Sequence, residues 1–457
     1  MPNVMGLDLG VTSATHVAVA DGMNVTSTFA TASTPDGLTH AIRKASNGEP
    51  IDVVVESTAM SWFVAAVAAE RSGVPHTLYR VSGRKAAALR SFYQAYTKTD
   101  RIDARVLARM PLVDEGLRTF TLPTQGELAL KRLVNQRHKV IKERTRTKGR
   151  IRSTFHWVAP GLLGKHGVTL GFLAILKRWP DLRALARARI ASITKESRFT
   201  REQAEKLRSR VRHAVAFYGG RVDFDTLALE FELTIEHHEL LDTHLARIEQ
   251  RIKNLHDHKF PDDPLRTLPG VGPVVASIVR AMVGDAREFT NLAAFRAYTG
   301  LVPRENSSGD ARRQGRISKA GPNLLRWALY LAADTARRKD PQLADLYRRL
   351  MTERGRHHHQ AVCAVASHLA ARIWAVIREN RPYEYQDLDG NAITPAEARQ
   401  LARSLAVDKE TRARLKNHKA KRGQDASRSR QQKAPQDHAQ PSPTKIADLA
   451  LEIAQTT

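Results

Sequence analysis

Four carboxylates near the start of the chain carry the clearest chemical signal. Asp8 stands in Gly6-Leu7-Asp8-Leu9-Gly10, Glu56 follows the apolar run Val53-Val54-Val55, and Asp100 and Asp103 lie three apart in Thr99-Asp100-Arg101-Ile102-Asp103-Ala104. Carboxylate oxygens are the ligands that hard divalent cations prefer. Residues three apart on a helix share a face, and acids at strand ends can converge on one edge of a sheet. Like charges crowded together repel unless protons or cations neutralise them, so a converging set of four implies a metal. Two such ions roughly 4 Å apart suit the cleavage of a phosphodiester. Any one of these acids alone reads more simply as a solvated or capping group, and Glu70, Asp114 and Glu115 keep that reading. The set of four does not.

Three further stretches bear on phosphate chemistry. Leu268-Pro269-Gly270-Val271-Gly272-Pro273 precedes an apolar helix and has the form of a helix-hairpin-helix turn, whose amides around Gly270 and Gly272 can meet a DNA phosphate. An ordinary turn between packed helices explains it equally well. Residues 303–321 place Ser307, Ser308 and Ser318 among Arg304, Arg312, Arg313, Arg316 and Lys319. A serine flanked by guanidiniums can attack phosphorus, although the residue types alone favour a basic loop that only holds DNA backbone. In the third stretch Lys131, Arg132, Arg137, Lys139, Lys142, Arg144, Arg146, Lys148, Arg150 and Arg152 are opposed locally by Glu143 alone. Such one-sided charge on a helix calls for a polyanion. His357-His358-His359 lacks the i, i+4 spacing of helical metal ligands and reads as a solvated helix segment, and the one cysteine, Cys363, reads as a buried thiol.

The elements that must position these residues follow from the apolar pattern. Residues 4 to 117 read as α/β: strands through Gly6, around residues 17–20, over 51–55 and over 77–81, with helices over 38–45, 61–72 and 101–110, the last capped by Thr99 or Asp100. Two long helical regions, 124–157 and 201–256, are spaced to pair as a coiled coil or a dimer arm. A compact helical domain is expected from about residue 261 to 380. Beyond Val407 the composition turns to Lys, Arg, Gln and Ser, and a disordered basic tail is expected with a short helix over 446–454. The resulting division is 1–122, 123–260, 261–385 and 386–457. With 457 residues and a formal net charge of +26, the chain is large enough for several cores and attracts polyanions. No apolar run of 18 residues and no leader are found, so a cytoplasmic protein with no membrane partner is expected.

Together, these motifs, with Glu56-Ser57-Thr58, Thr99-Asp100-Arg101-Ile102-Asp103-Ala104, Thr299-Gly300-Leu301-Val302-Pro303, Ser307-Ser308-Gly309 and Ile317-Ser318-Lys319-Ala320-Gly321, resemble the DEDD insertion-sequence transposases of the IS110 family, the bridge-RNA-guided serine recombinases. The resemblance runs from Val4 to about Asn380. It implies a RuvC-like RNase H-fold domain with Asp8, Glu56, Asp100 and Asp103 as ligands of Mg²⁺ or Mn²⁺, a coiled-coil insertion that dimerises, and a helical transposase domain whose nucleophile is Ser308, with Ser307 as fallback. It also implies a homo-oligomer, dimer or tetramer, in which acids and serine come from different protomers, and a structured guide RNA that pairs with donor and target DNA. Where the family often has Lys after the first Asp, this chain has Val11-Thr12-Ser13, and Gly321-Pro322-Asn323 stands at its later turn. The competing readings are a RuvC-like Holliday-junction nuclease that uses water, a non-catalytic nucleic-acid-binding protein, and an actin-like ATPase or sugar kinase suggested by Gly6-Leu7-Asp8-Leu9-Gly10 alone.

Overall fold

In the computed structural model, the described residues are 2–415 except 11–12, 58–59, 94–98, 118, 164–166, 285, 309–310 and 409; the side chains of 288, 305–308 and 311–314 are also outside the description. The chain divides into two compact units, Met1–Gln125 and Gly126–Thr457.

The first unit is built on a five-stranded mixed sheet. Its strands are β1 (Asn3–Asp8), β2 (Thr15–Asp21), β3 (Asn24–Thr31), β4 (Ile51–Glu56) and β5 (His76–Val81), in the order β3-β2-β1-β4-β5. β1 pairs antiparallel with β2 and parallel with β4, and β5 lies parallel to β4. Strand alternation divides the apolar residues between two faces. Met5, Leu7, Val17, Val19, Val53 and Val55 pack with helices α1 (Pro35–Ser46) and α2 (Ser61–Ser72) on one side. Val4, Val54, Ala18 and Ala20 face the other, where α3 (Gly83–Tyr93) and α4 (Asp100–Val113) lie. The sequence pattern anticipates this α/β arrangement but not β3, whose residues are mostly exposed, nor α3, which buries only Ala86.

Gly6 fixes the depth at which α4 sits. A Cβ there would lie 2.2 Å from the Ala104 carbonyl oxygen and 2.4 Å from the Ala108 nitrogen, so the helix backbone rests directly on the strand. Ala104 and Ala108 on α4 are small for the same reason, and both are buried against Ala18 and Ala20.

The second unit is helical with one hairpin. Helix α5 (Gln125–Val158) is followed by α6 (Leu170–Arg178), α7 (Leu182–Arg187), α8 (Ile190–Ser197), α9 (Arg201–Tyr218) and α10 (Phe224–Lys259). As partners ascend α5 they descend α10: Glu127 with Lys259, Arg137 with Glu249, Arg144 with Asp242, Thr154 with Glu230. The two long helices therefore run antiparallel within one chain. Val140, Leu241 and Leu245 fill the middle of their seam, and Phe155 stacks on Phe231 at 5.1 Å towards one end. There α6 to α9 close a separate core around Phe172, Ile175, Leu185 and Val211.

At the other end α11 (Pro273–Val283), α12 (Leu292–Thr299), α13 (Asn323–Ala336), α14 (Pro341–Thr352) and α15 (His358–Glu379) form the largest core. α15 is long and apolar enough to cross a membrane, but Val362, Val365, Leu369 and Ile373 are fully buried in this core. The basic stretch expected as a loop is instead a β-hairpin, β6 (Pro303–Ser308) with β7 (Ala311–Ile317). The histidine triplet is partly solvated, with His359 exposed, but it is also tied into the fold: His357 caps α15, His358 bonds the Tyr347 hydroxyl at 2.9 Å and His359 bonds that of Tyr330 at 2.6 Å. α16 (Pro395–Ser404) has a capping box from Thr394 and Glu397 and buries Ala398 and Ala402, so the segment from residue 386 begins folded. Residues 416–457, with the rest of the expected tail and its helix, lie outside the described part.

Two glycines separate packing from propensity. Gly6→Val should lower the melting temperature by the equivalent of about 1–3 kcal/mol or more, because α4 must lift from β1. Gly149→Ala, on an exposed face of α5 with nothing near its Cβ position, should raise stability by up to about 1 kcal/mol. Thermal unfolding followed by circular dichroism reads both.

Candidate active site

β1 and β4 are parallel and in register through Leu7 and Val55, so Asp8 and Glu56 end neighbouring strands at the same edge of the sheet. Alternation along β1 puts Asp8 on the face of Val4 and Gly6, and along β4 puts Glu56 on that of Val54, the face covered by α4. α4 starts over this edge. The Thr99 hydroxyl accepts the Ile102 amide, which fixes the first turn and with it Asp100 and Asp103. The start of α3 closes the site from another side: a Cβ on Gly83 would stand 2.7 Å from Glu56 Oε1.

The convergence has an electrostatic signature. The Asp8 carboxyl is pushed up to about 6, first by burial and then by the charges of Asp103, Asp100 and Glu56, with His16, its partner across β2, pulling the other way. The other three expected acids thus all act on the carboxyl of the fourth. Among the described residues no three His, Cys, Asp or Glu side chains stand close enough together to hold a metal ion as they are placed. The acids are near enough to repel without being drawn together, which is the condition a divalent cation would relieve, and the all-oxygen donor set fits a hard ion. Arg90 donates to Asp103 at 2.7 Å, both side chains being largely buried, and supplies a counter-charge within the protein. Arg90 is not signalled by the sequence pattern, because α3 itself is not.

The remaining expected residues divide by location. Ser307, Ser308, Arg312 and Arg313 stand on the β6/β7 hairpin, where Ser307 pairs with Arg312 and Ser308 with Ala311. Their side chains lie outside the described residues. The base of this hairpin is tightly built. The Ser318 amide bonds the Val302 carbonyl, and the amide of Lys319, left-handed at φ 56°, bonds that of Gly300. A Cβ on Gly321 would stand 1.4 Å from the Tyr298 carbonyl oxygen. Arg304 reaches the Ser318 carbonyl at 3.3 Å, and Arg316 is exposed.

Gly270 has φ +80°, and a Cβ there would meet the Ala332 carbonyl of α13 at 2.3 Å, so its glycine answers a packing demand. Gly272 is open around its Cβ position and caps α11. Beneath this turn His256 bonds Ser277 at 3.0 Å and Asp263 at 3.1 Å, and Arg280 donates to Asp263 at 2.6 Å. Burial pushes the Asp263 carboxyl up, but the bonds from His256 and Arg280 prevail and hold it at about 2. His256, Asp263 and Ser277 are buried, and with the part-buried Arg280 they clamp α10 to α11.

The basic helix is less one-sided than its sequence suggests. Arg137 and Arg144 pair with Glu249 and Asp242 of α10, and Arg146 and Arg150 with Glu143. Arg132, Lys139, Lys142 and Arg152 are exposed, whereas Lys131 and Lys148 are half-buried, and burial pushes the Lys148 ammonium down. Burial likewise raises the Cys363 thiol on α15, against a nucleophilic role.

Residues 5–160 match the DEDD transposase family of IS110 type, and residues 262–348 match the family described as Transposase IS116/IS110/IS902. The chain belongs to the IS110/IS116 transposase family. An insertion element IS116 protein from Streptomyces clavuligerus is 25% identical over 66% of this chain and 76% of its own length. An insertion element IS110 protein from Streptomyces coelicolor is 27% identical over 68% and 80%. The transposase for insertion sequence element IS1328 from Yersinia enterocolitica reaches 34% over 31% and 43%, and a pilin gene-inverting protein from Moraxella lacunata 30% over 26% and 38%. For an IS110/IS116 transposase the five-stranded mixed sheet is compatible with a DEDD nuclease-like fold, the DEDD domain implies a divalent metal and a DNA-cleaving enzyme, and DNA is the substrate.

A raised carboxyl binds its proton more tightly folded than unfolded, so its contribution to stability is present at low pH and is lost as pH rises through about 6. Asp8→Asn should therefore raise the melting temperature of metal-free protein at pH 7.5 and leave it nearly unchanged at pH 4. Equal shifts at the two pH values would contradict the crowding of charge.

Proposed function

We propose that this transposase cleaves and exchanges DNA strands through a phosphoserine intermediate, with Asp8, Glu56, Asp100 and Asp103 as the metal ligands and Ser308 as the nucleophile. The observation that carries the reading is the upward shift of Asp8, caused first by burial and then by the charges of all three other acids. Mg²⁺ or Mn²⁺ held there would neutralise charge on the scissile phosphate. Ser308 Oγ forms its bond to phosphorus as the bond to a DNA hydroxyl oxygen breaks; that oxygen takes up a proton, and the serine gives up its own. Reversal onto the hydroxyl of another strand reseals the backbone without hydrolysis.

The arginines of β6 and β7, Arg304, Arg312, Arg313 and Arg316, with Lys319, would hold DNA backbone beside that serine, as would the exposed cations of α5. In this reading residues 1–122 are a RuvC-like metal domain, 123–260 a coiled-coil domain, 261–385 the serine-bearing domain and 386–457 a basic tail, and a structured guide RNA supplies sequence choice by pairing. Support for a homo-oligomer comes from α10: Leu229, Leu233 and Leu240 are more than half exposed at heptad spacing, on the side opposite the residues that meet α5. Acids and serine would then be contributed by different protomers.

Two experiments test this. Incubated with element-end DNA and Mg²⁺ and then denatured, the wild-type protein should carry a covalent DNA adduct. Ser308→Ala should lose the adduct, Ser307→Ala should keep it, and chelation or Asp103→Ala should abolish it. Cleavage with no adduct in any variant would favour hydrolysis by water, as in a junction nuclease. Leu233→Glu with Leu240→Glu should shift the sedimenting species to monomer.

A further inference from the structure

We propose that the end of the α5/α10 pair formed by the α5 C-terminus and α9 binds unpaired bases of single-stranded DNA. The inference rests on the reading of the chain as a DNA recombinase, but on residues that reading does not use. A cavity of about 590 Å³ opens there between residues 158–161 and the C-terminal half of α9, within the roughly 300–1,000 Å³ of small-ligand sites.

Its wall is aromatic and basic: Arg210, His213, Phe217 and Tyr218 line it. Phe217 is 74% exposed and Trp157 beside it 49%. These rings form a fixed group. Tyr218 packs edge-on against Trp157 at 6.3 Å and against Phe217 at 5.1 Å, and its hydroxyl donates to the Trp157 carbonyl. Two large apolar rings held out towards solvent beside an open cavity are poorly explained by the fold, which packs Phe155, Phe172 and Phe231 inside the same subdomain. They suit the face of a nucleobase.

Charge selects the occupant. No acid occurs between Glu143 and Asp181 or between Glu205 and Asp223, while Arg146, Arg150, Arg152, Arg208, Arg210, Arg212 and Arg221 do. Among the described residues Arg208, Arg210 and Arg212 direct their donors to the carbonyls of Ala188, Gly161 and Ala186, which holds the guanidiniums in place without a carboxylate to neutralise them. The same patch of a second copy would bring the same positive field and be repelled from this one. A polyanion with exposed bases satisfies both the cations and the rings, and DNA is the nucleic acid this family acts on.

The test measures binding of labelled oligonucleotides to the full chain by fluorescence anisotropy, with chelator present so that no cleavage intervenes. Phe217→Ala should weaken single-stranded DNA binding about 5- to 100-fold, change duplex binding less than about twofold, and leave binding of an abasic strand unaltered. Phe217→Trp should restore affinity, and quenching of Trp157 fluorescence should accompany binding. An equal loss for abasic strand and normal strand overturns the stacking site, and at least tenfold tighter binding of RNA of the same sequence overturns the DNA assignment. A change in sedimenting species with Phe217→Ala makes the patch a protein interface and overturns the proposal. Each of these outcomes is independent of the adduct assay, because binding is read with chelator present and requires neither the metal nor the serine.

Discussion

The seat of α4 on β1 at Gly6 is the constraint on which the rest of the candidate site depends. Four carboxylates resist being gathered, and the acids of two strands and one helix are brought to the same place only because the backbones that carry them are locked together. At Gly6 the helix lies against the strand with no side chain between, and Ala104 and Ala108 keep the contact close. The glycine of Gly6-Leu7-Asp8-Leu9-Gly10 is therefore needed two residues before the acid for packing, which explains the motif without a phosphate loop and removes the main attraction of the kinase reading. Burial first, and the repulsion that remains, raise the carboxyl of Asp8, while Arg90 offsets the charge of Asp103.

Charge is handled differently in the second unit. The cations of α5 first read as a single solvated surface awaiting a polyanion, yet Glu249 and Asp242 of α10 take up two of them and Glu143 takes up two more. The sequence hides the first two because Glu249 and Asp242 lie about a hundred residues from their partners. What survives is a smaller set of exposed cations on α5, and at the far end a group of arginines tied to carbonyls instead of carboxylates. Net charge alone does not distinguish these two kinds of basic surface; only the partner atom does.

The legible parts of the fold were those with strong periodicity. β1, β4 and α2 can be read directly, since buried parallel strands are continuously apolar, and the cap of α4 can be narrowed to Thr99 or Asp100, of which the structure selects Thr99. β3 and α3 escaped because an exposed edge strand and a helix that buries one alanine have little apolar pattern to detect. The hairpin of residues 303–317 escaped for a related reason: its strands are rich in Arg, Ser and Gly, and their pairing is set by the backbone closure at Val302, Gly300 and Lys319 more than by alternation. The acids of the candidate site were legible as residue types at motif spacing. Their partner Arg90 was not, because nothing local in Ala86-Ala87-Ala88-Leu89-Arg90 marks a residue that will reach Asp103 from another helix.

The antiparallel seam of α5 with α10 also sets a length. A 34-residue helix rises about 51 Å, the axial extent of about fifteen base pairs of duplex at 3.4 Å each. The pair is stiff along that distance, since it is bonded across the seam from Glu127 to Thr154. Under the proposals above, a nucleic-acid contact at the aromatic end and one at the opposite end of α5 would be held apart by roughly one and a half turns of DNA. The helical pair acts as a ruler, and inserting or deleting whole helical turns in both helices together would change the spacing of the sites on nucleic acid that one chain can touch at once.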